Sequence, residues 1–499
     1  MIRVRYAPSP TGSPHVGNIR TALFNYLLAK RYSGTFVVRI EDTDQTRKVP
    51  GALEDILDSL RWLGIEWDEG PERGGSHGPY FQSERLEIYR RHVDILLAAK
   101  RAYKCFCTPE ELTEMREYQR INNLPTGYDR RCRFRSDDEV EALEASGKPY
   151  VVRLAMPLEG EIEFQDAIRG RVAFESRLLD DQVLLKSDGW PTYHLANVVD
   201  DYLQGITHVI RGDEWINSTP KHVVLYNSFG WNMPIFAHAP IIKGPDGAKL
   251  SKRHGDTRCL DYREKGFLSE AVANFIALIG WSPGDERELM TMSEMAEAFS
   301  VEGIQPNPGV FDITKLLWMN GHYIRSKSPE DLFDTVVSWH TSTTDEEYRG
   351  SEGCAALTAA IQSLPQEYVT EAFRLEQERV KLLSEFAEAC RFFFVDEPEM
   401  DPQGVAKWFG QPYVGALLEK LEAEVAGRST ISAEDAEKII DGVVVSLGLE
   451  KRAQAIHPTR VALTGKTFGP SLFELMALLG PERILLRLRR AAQFVPAAS

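Results

Sequence analysis

The sequence predicts an α/β fold: a doubly wound parallel sheet that carries an insertion and is followed by an all-α region. Three observations predict it. The first forty residues read strand, loop, helix, strand. Sheet-like segments resume at Gln182–Leu185 and His208–Arg211 after a stretch of different character. Beyond Phe267 strand signals become scarce.

Residues 2–7 alternate apolar and polar, which is strand periodicity. Ile19, Ala22, Leu23, Tyr26 and Leu27 then recur at helical spacing up to Arg31, and Gly34 announces the β-rich Thr35–Ile40. This is a βαβ unit, the usual start of a doubly wound parallel sheet. A helix is expected over Gly51–Leu63, a Gly/Pro-rich loop over Gly70–Gly78, and a second helix over Ser83–Lys100. From Ala102 to about Ser187 come cysteines, a charged helix at Pro109–Arg120 and short strands such as Tyr150–Leu154, the pattern of an insertion. Helices are then expected at Leu268–Gly280, Ser293–Phe299, Glu371–Phe394, Tyr413–Ala426 and Ala433–Leu447. The division is 1–101 and 188–257 for the two halves of a nucleotide-binding domain, 102–187 for the insertion, and 258–329 and 330–499 for helical regions.

A chain of 499 residues exceeds a single core. With 43% hydrophobic and 26% charged residues it has the composition of a soluble globular protein. No apolar run reaches the roughly 20 residues of a membrane helix, and the first ten residues lack a signal-peptide core. Six unevenly spaced cysteines do not make a disulfide framework, so a cytoplasmic location is expected. The net charge of −16 excludes a uniformly basic surface but leaves room for local patches at Arg130–Arg135 and Arg487–Arg490.

Two motifs carry the chemistry. Pro8-Ser-Pro-Thr-Gly-Ser-Pro-His-Val-Gly-Asn18 joins the first strand to the first helix, which places a nucleotide phosphate at the positive end of a helix dipole. Lys249-Leu-Ser-Lys-Arg253, between Gly244-Pro-Asp-Gly247 and Gly255-Asp256, supplies cations suited to a shifting triphosphate charge. His15 is the candidate donor at the helix start, and Gly17 lacks a Cβ that would block a nucleotide. Ser9 and Thr11 serve equally as ligand donors or as turn residues. Cys105, Cys107 and Cys132 have the character of metal ligands, and they read equally as three reduced thiols near a turn.

With both motifs in these contexts, the chain resembles the class I aminoacyl-tRNA synthetases. His15-Val-Gly-Asn18 stands at the family's His-Ile-Gly-His signature, and Lys249-Leu-Ser-Lys-Arg253 at its Lys-Met-Ser-Lys-Ser signature. Within that class it resembles the bacterial glutamate branch. This closer likeness rests on Arg5-Tyr-Ala-Pro-Ser-Pro-Thr-Gly12, Arg39-Ile-Glu-Asp-Thr-Asp44, Tyr193-His-Leu-Ala-Asn-Val-Val-Asp-Asp201, Arg211-Gly-Asp-Glu-Trp215 and Trp318-Met-Asn-Gly321.

The resemblance implies a Rossmann-type catalytic domain, an inserted acceptor-stem domain at 102–187, a stem-contact domain at 258–329 and a helical anticodon region at 330–499. It implies ATP, Mg²⁺, L-glutamate and tRNA(Glu) as substrates and partners of a monomer. His15, Lys249, Lys252 and Arg253 would be catalytic, and Ser9, Thr11, Gly17 and Asn18 would join His15 and Lys252 around ATP. Arg5, Ala7, Ser9, Glu41, Tyr193, Asn197 and Arg211 would hold glutamate, with the two guanidinium forks on its side-chain carboxylate. Some relatives bind zinc through Cys-x-Cys and a later Cys-x-His. Here Phe134 takes the histidine position, and Tyr128 stands where some relatives place a tyrosine ligand. Arg379 aligns with an anticodon-reading arginine, and Lys381 and Arg487–Arg490 are candidates for phosphate contacts. The competing readings are a glutamine-charging relative, which has a β-barrel anticodon region, a tRNA-modifying glutamyl transferase, which lacks the helical C-terminal region, and a non-catalytic tRNA-binding protein.

Overall fold

The computed structural model describes residues 1–251, 253 and 258–496. Two compact units are present: Met1–Asp261 with Val272–Asp312, and Tyr262–Ala271 with Ile313–Ser499. Among the described residues no helix is long and apolar enough to cross a membrane.

In the first unit Arg3–Tyr6 pairs in parallel with Thr35–Val38, and His208–Gly212 pairs in parallel with Ile235–Ala239. The two pairs meet where the Thr207 N–H donates to the Arg3 carbonyl at 2.9 Å. The hairpin Glu161–Asp166/Gly170–Glu175 extends the far edge, with Asp166 opposite Phe236. This hairpin lies inside the 102–187 stretch, yet it pairs with the main sheet.

Strand alternation sends neighbouring side chains to opposite faces. Phe36 meets Tyr26 of the helix Val16–Arg31, while Val37 joins the opposite core with Leu195, Val209 and Phe236. The helix Val16–Arg31 is buried nearly all round, as a helix between a sheet and a further layer must be. It ends with Lys30 and Arg31 against its negative pole. The chain then turns at Gly34, where a Cβ would stand 2.4 Å from the Ile2 carbonyl oxygen. A separate antiparallel sheet of Ala102–Cys105, Val151–Leu154 and Val183–Leu185 carries the cysteine cluster.

The second unit is helical around a single large core. The expected helix over Glu371–Phe394 is broken there. Gln366–Glu376 ends, the chain turns, and Glu385–Ala389 and Arg391–Phe394 follow as short helices. No Gly or Pro marks the break. Tertiary bonds impose it instead: the Gln377 amide donates to the Ile324 and Lys327 carbonyls at 2.8 and 3.0 Å, and the Leu383 N–H to Gly266 at 2.9 Å.

Arg487 is no phosphate contact; it is 1% exposed. Its guanidinium donates to the carbonyls of Phe392, Val395, Asp396 and Leu463, neutralising the ends of two helices. Of the other arginines in that stretch, Arg489 pairs with Glu422, and Arg490 with Glu397. Arg487→Met keeps the volume and strands these carbonyls, so thermal unfolding of the C-terminal unit should show a loss of roughly 3–5 kcal/mol.

Candidate functional site

Two adjoining cavities lie at the carboxyl ends of the parallel strands. The first, about 590 Å³, is lined by Gly12, His15, Gly17, Asn18, Gly212, Glu214, Pro240–Ile242, Lys249–Ser251 and Arg258. The second, about 540 Å³, is lined among others by Arg5, Ala7, Ser9, Thr11, Glu41, Tyr193, Asn197 and Arg211. Asn18, Thr21, Gly212 and Glu214 border both. The structure therefore brings His15, Gly17, Asn18 and Lys249 together, and it places Ser9 and Thr11 with the carboxylate-binding candidates.

His15 is the N-cap of the first helix. Its Nδ1 accepts from the Gly17 and Asn18 N–H groups at 3.1 and 3.3 Å. Desolvation, and then the Lys249 charge, lowers its pKa below 6.5 against a weaker pull from Glu214. The ring is therefore neutral at pH 7. With Nδ1 accepting, the hydrogen-bond pattern assigns the proton to Nε2, leaving a donor available to a ligand. The structure favours Gly17 for a reason its sequence context did not show. A Cβ there would sit 3.0 Å from Cε1 of the capping imidazole, so glycine clears His15 itself.

The lysine loop is a tight hairpin. The Leu250 N–H donates to Ile242 and the Gly244 N–H to Ala248, at 2.9 and 2.8 Å, with Gly247 at φ +77°. Arg253 pairs with Asp246 at 2.9 Å. Lys252 lies outside the described residues.

Arg5, on the first strand, is 4% exposed and donates through Nε to Asp201 at 3.1 Å. Asp201 also takes Arg39 at 2.8 Å. Burial opposes ionisation of Asp201, but the two arginines overcome it and hold the carboxyl below its ordinary range. Arg39 Nη2 and Asn197 Nδ2 both donate to Glu41 Oε1, at 3.1 and 3.4 Å. Burial raises the Glu41 carboxyl above 4.5 despite Arg39 and Arg5, so an arriving cation would be a favourable partner.

Arg211 is 5% exposed. Its Nη1 donates to the Tyr193 hydroxyl at 3.0 Å, Nη2 to Thr219 Oγ1 at 2.8 Å, and Nε to His238 Nε2 at 3.1 Å, with His222 Nδ1 at 3.4 Å. Burial keeps both histidines below their ordinary range, and hence neutral. Among the described residues no carboxylate pairs with Arg211. A buried guanidinium surrounded only by neutral groups is an unpaired charge, and an incoming carboxylate compensates it. Asp201, Arg39, His238 and Asp166 went unassigned from sequence. The strings containing Arg39 and Asp201 were visible, but which side chains these two would hold was not.

Away from these cavities, the Cys105, Cys107 and Cys132 sulfurs lie within 4.8 Å of one another. The Tyr128 hydroxyl is 3.2 Å from Cys105 Sγ and 3.7 Å from Cys107 Sγ, and it accepts the Cys132 N–H at 3.1 Å. A hydrogen bond with Cys105 holds the Cys132 thiol below its ordinary range against the effect of burial. Three sulfurs and one oxygen converging on a point fit a four-coordinate soft-metal donor set. In the second unit Arg379 stands in the turn after Gln366–Glu376, donating to the Leu375 carbonyl at 2.8 Å and half exposed.

Residues 1–318 match the family model for the catalytic domain of class I tRNA synthetases (E and Q), and residues 353–492 match an anticodon binding domain. The glutamate–tRNA ligase of Moorella thermoacetica is 42% identical over 494 residues, covering 99% of this chain and 98% of that protein. The Acidothermus cellulolyticus glutamate–tRNA ligase is 44% identical over 503 residues, covering 99% and 96%. A crystal structure of a glutamate tRNA ligase from Elizabethkingia meningosepticum, in complex with its amino acid, superposes with a TM-score of 0.90. It is 35% identical, covering 99% of this chain and all of that one.

Proposed function

The chain belongs to the class I tRNA synthetases of the glutamate and glutamine group, and from that membership we infer that it joins L-glutamate to tRNA(Glu) at the expense of ATP. Arg211 carries the choice of amino acid. A buried cation with only neutral partners suits a side-chain carboxylate, and glutamine's amide would leave its charge unpaired.

In the first step the α-carboxylate oxygen of glutamate attacks the α-phosphorus of ATP. The bond from the α-phosphorus to the bridging oxygen of the β-phosphate breaks, and pyrophosphate leaves; Mg²⁺ carried by ATP would offset part of its charge. In the second step a terminal tRNA hydroxyl attacks the activated carbonyl, and AMP departs. Neither step needs a protein nucleophile; position and charge stabilisation suffice. Arg5 and Arg211 would grip the side-chain carboxylate, Glu41 would hold the ammonium with Asn197 beside it, and Ala7 and Ser9 would border the amino acid. His15 Nε2–H, the helix N-terminus and Lys249 would face the phosphates, with Lys252 joining them by virtue of the resemblance. Thr11, Gly17 and Asn18 would border the nucleotide.

Residues 102–187 would take the acceptor stem, 258–329 would contact the stem, and 330–499 would read the anticodon, in a cytoplasmic monomer. Charging assays with labelled glutamate test this reading. tRNA(Glu) should be charged and tRNA(Gln) should not. Arg379→Ala should cut that discrimination by about tenfold, the worth of one base contact. Failure to charge either tRNA would overturn the assignment.

The cysteine cluster supports one structural zinc held by Cys105, Cys107, Cys132 and Tyr128, since its donors already converge. When bound, the ion would fasten the inserted small sheet. Metal analysis should return about one zinc per chain and Cys105→Ser close to none. A metal-free wild type would remove the site.

A further inference from the structure

The buried Asp166–His238 pair lies beyond the residues that touch substrate. Asp166 ends a strand of the edge hairpin and is 1% exposed. Its Oδ1 accepts from the Ile168 and Arg169 N–H groups, each at 3.0 Å. Its Oδ2 accepts from His238 Nδ1 at 2.6 Å and from the His238 backbone N–H at 3.2 Å. His238, 0% exposed, presents Nε2 to Arg211 Nε at 3.1 Å and to Thr219 Oγ1 at 3.1 Å.

The donor and acceptor roles along this chain are forced. Arg211 Nε has a hydrogen and no lone pair, so His238 Nε2 must accept. The single imidazole proton must then sit on Nδ1, where an ionised Asp166 takes it. The directions of the shifts agree: His238 is held below its ordinary range chiefly by burial, and Asp166 is held below its own by the His238 hydrogen bond despite burial.

We propose that Asp166 and His238 are positioning residues for amino-acid selection: Asp166 fixes the His238 tautomer, and His238 aims the Arg211 fork at the side-chain carboxylate. The arrangement also keeps the Asp166 charge one imidazole away from Arg211. The fork is thereby oriented by an anion without being neutralised by it. Direct contact would instead spend the guanidinium on the protein, as Asp201 partly does with Arg5.

The proposal rests on the reading of Arg211 as the carboxylate ligand, and a set of variants separates the two. Asp166→Asn retains an acceptor for Ile168 and Arg169, but it turns an N–H₂ toward His238, giving up the bond from the His238 backbone N–H and favouring the opposite tautomer, whose Nε2–H opposes Arg211 Nε. Its KM for glutamate in tRNA-dependent ATP–pyrophosphate exchange should rise roughly 10- to 100-fold, the range for a weakened hydrogen bond to a charge. The ATP and tRNA KM values and kcat should stay within about twofold. His238→Leu should raise the glutamate KM by a similar factor, and His238→Gln, whose Oε1 can accept from Arg211, should restore most of it. An unchanged glutamate KM in Asp166→Asn or His238→Leu overturns the proposal. So do equal defects in His238→Leu and His238→Gln, or KM increases spread over all three substrates, because each is what a purely structural role predicts. If Arg211→Ala itself leaves the glutamate KM unchanged, the underlying reading of Arg211 falls as well. If Arg211→Ala raises it while Asp166→Asn and His238→Leu do not, only the positioning role falls.

Discussion

Replacing Arg211 by alanine should lower kcat/KM for glutamate by roughly 100- to 1,000-fold, the cost of removing one partner of a buried charge pair. The defect should appear in the glutamate KM and leave the ATP KM in place. Stability should move little. In the free protein the Arg211 charge is buried among Tyr193, Thr219, His222 and His238, with no carboxylate partner among the described residues. Removing it relieves a desolvation penalty but strands the buried groups it serves, so the two effects offset and the thermal midpoint of the variant should stay close to that of the parent. Arg211→Lys should rescue little, since an ammonium cannot reproduce contacts from Nε, Nη1 and Nη2 at once. A variant that lost activity by unfolding would show a lowered midpoint and parallel losses for every substrate, a pattern that melting curves and substrate titrations distinguish.

His15→Ala should lower kcat by roughly 100- to 1,000-fold, the usual effect of deleting a preorganised donor to developing charge. The glutamate KM should scarcely move, because His15 borders the first cavity and Arg211 the second. Alanine also removes the N-cap acceptor for Gly17 and Asn18, which costs about 1 kcal/mol of helix stability. His15→Asn separates these contributions. Asparagine caps well, so stability should return, but its short amide does not reach where Nε2 stands and the rate should stay low. Recovery of both with asparagine would reduce His15 to a cap.

How much of this was legible in the sequence depends on how local the cause was. The Arg3–Tyr6, Val16–Arg31 and Thr35–Val38 unit was readable because periodicity and Gly34 act over a few residues. The break after Glu376 was not, because Gln377 and Leu383 find their partners on distant segments while the local pattern stays helical. The site shows the same contrast. Arg5, Glu41, Tyr193 and Arg211 could be named from strings, but Asp201 lies 196 residues from Arg5 and Asp166 lies 72 from His238. No local pattern announces that the hydrogen-bond partners of Arg211 among the described residues are all neutral. Arg487 failed in the opposite direction. Its neighbours Arg489 and Arg490 made it look like a surface patch, whereas helical geometry turns it alone onto four inward carbonyls.

On the proposed function, a buried, unneutralised Arg211 selects a side-chain carboxylate beside a phosphate-binding helix start. ATP–pyrophosphate exchange, measured with glutamate and with glutamine in the presence of tRNA(Glu), tests it most directly. Exchange is expected with glutamate and at least roughly 100-fold less with glutamine. Equal exchange with both amino acids, or none with glutamate, would contradict it.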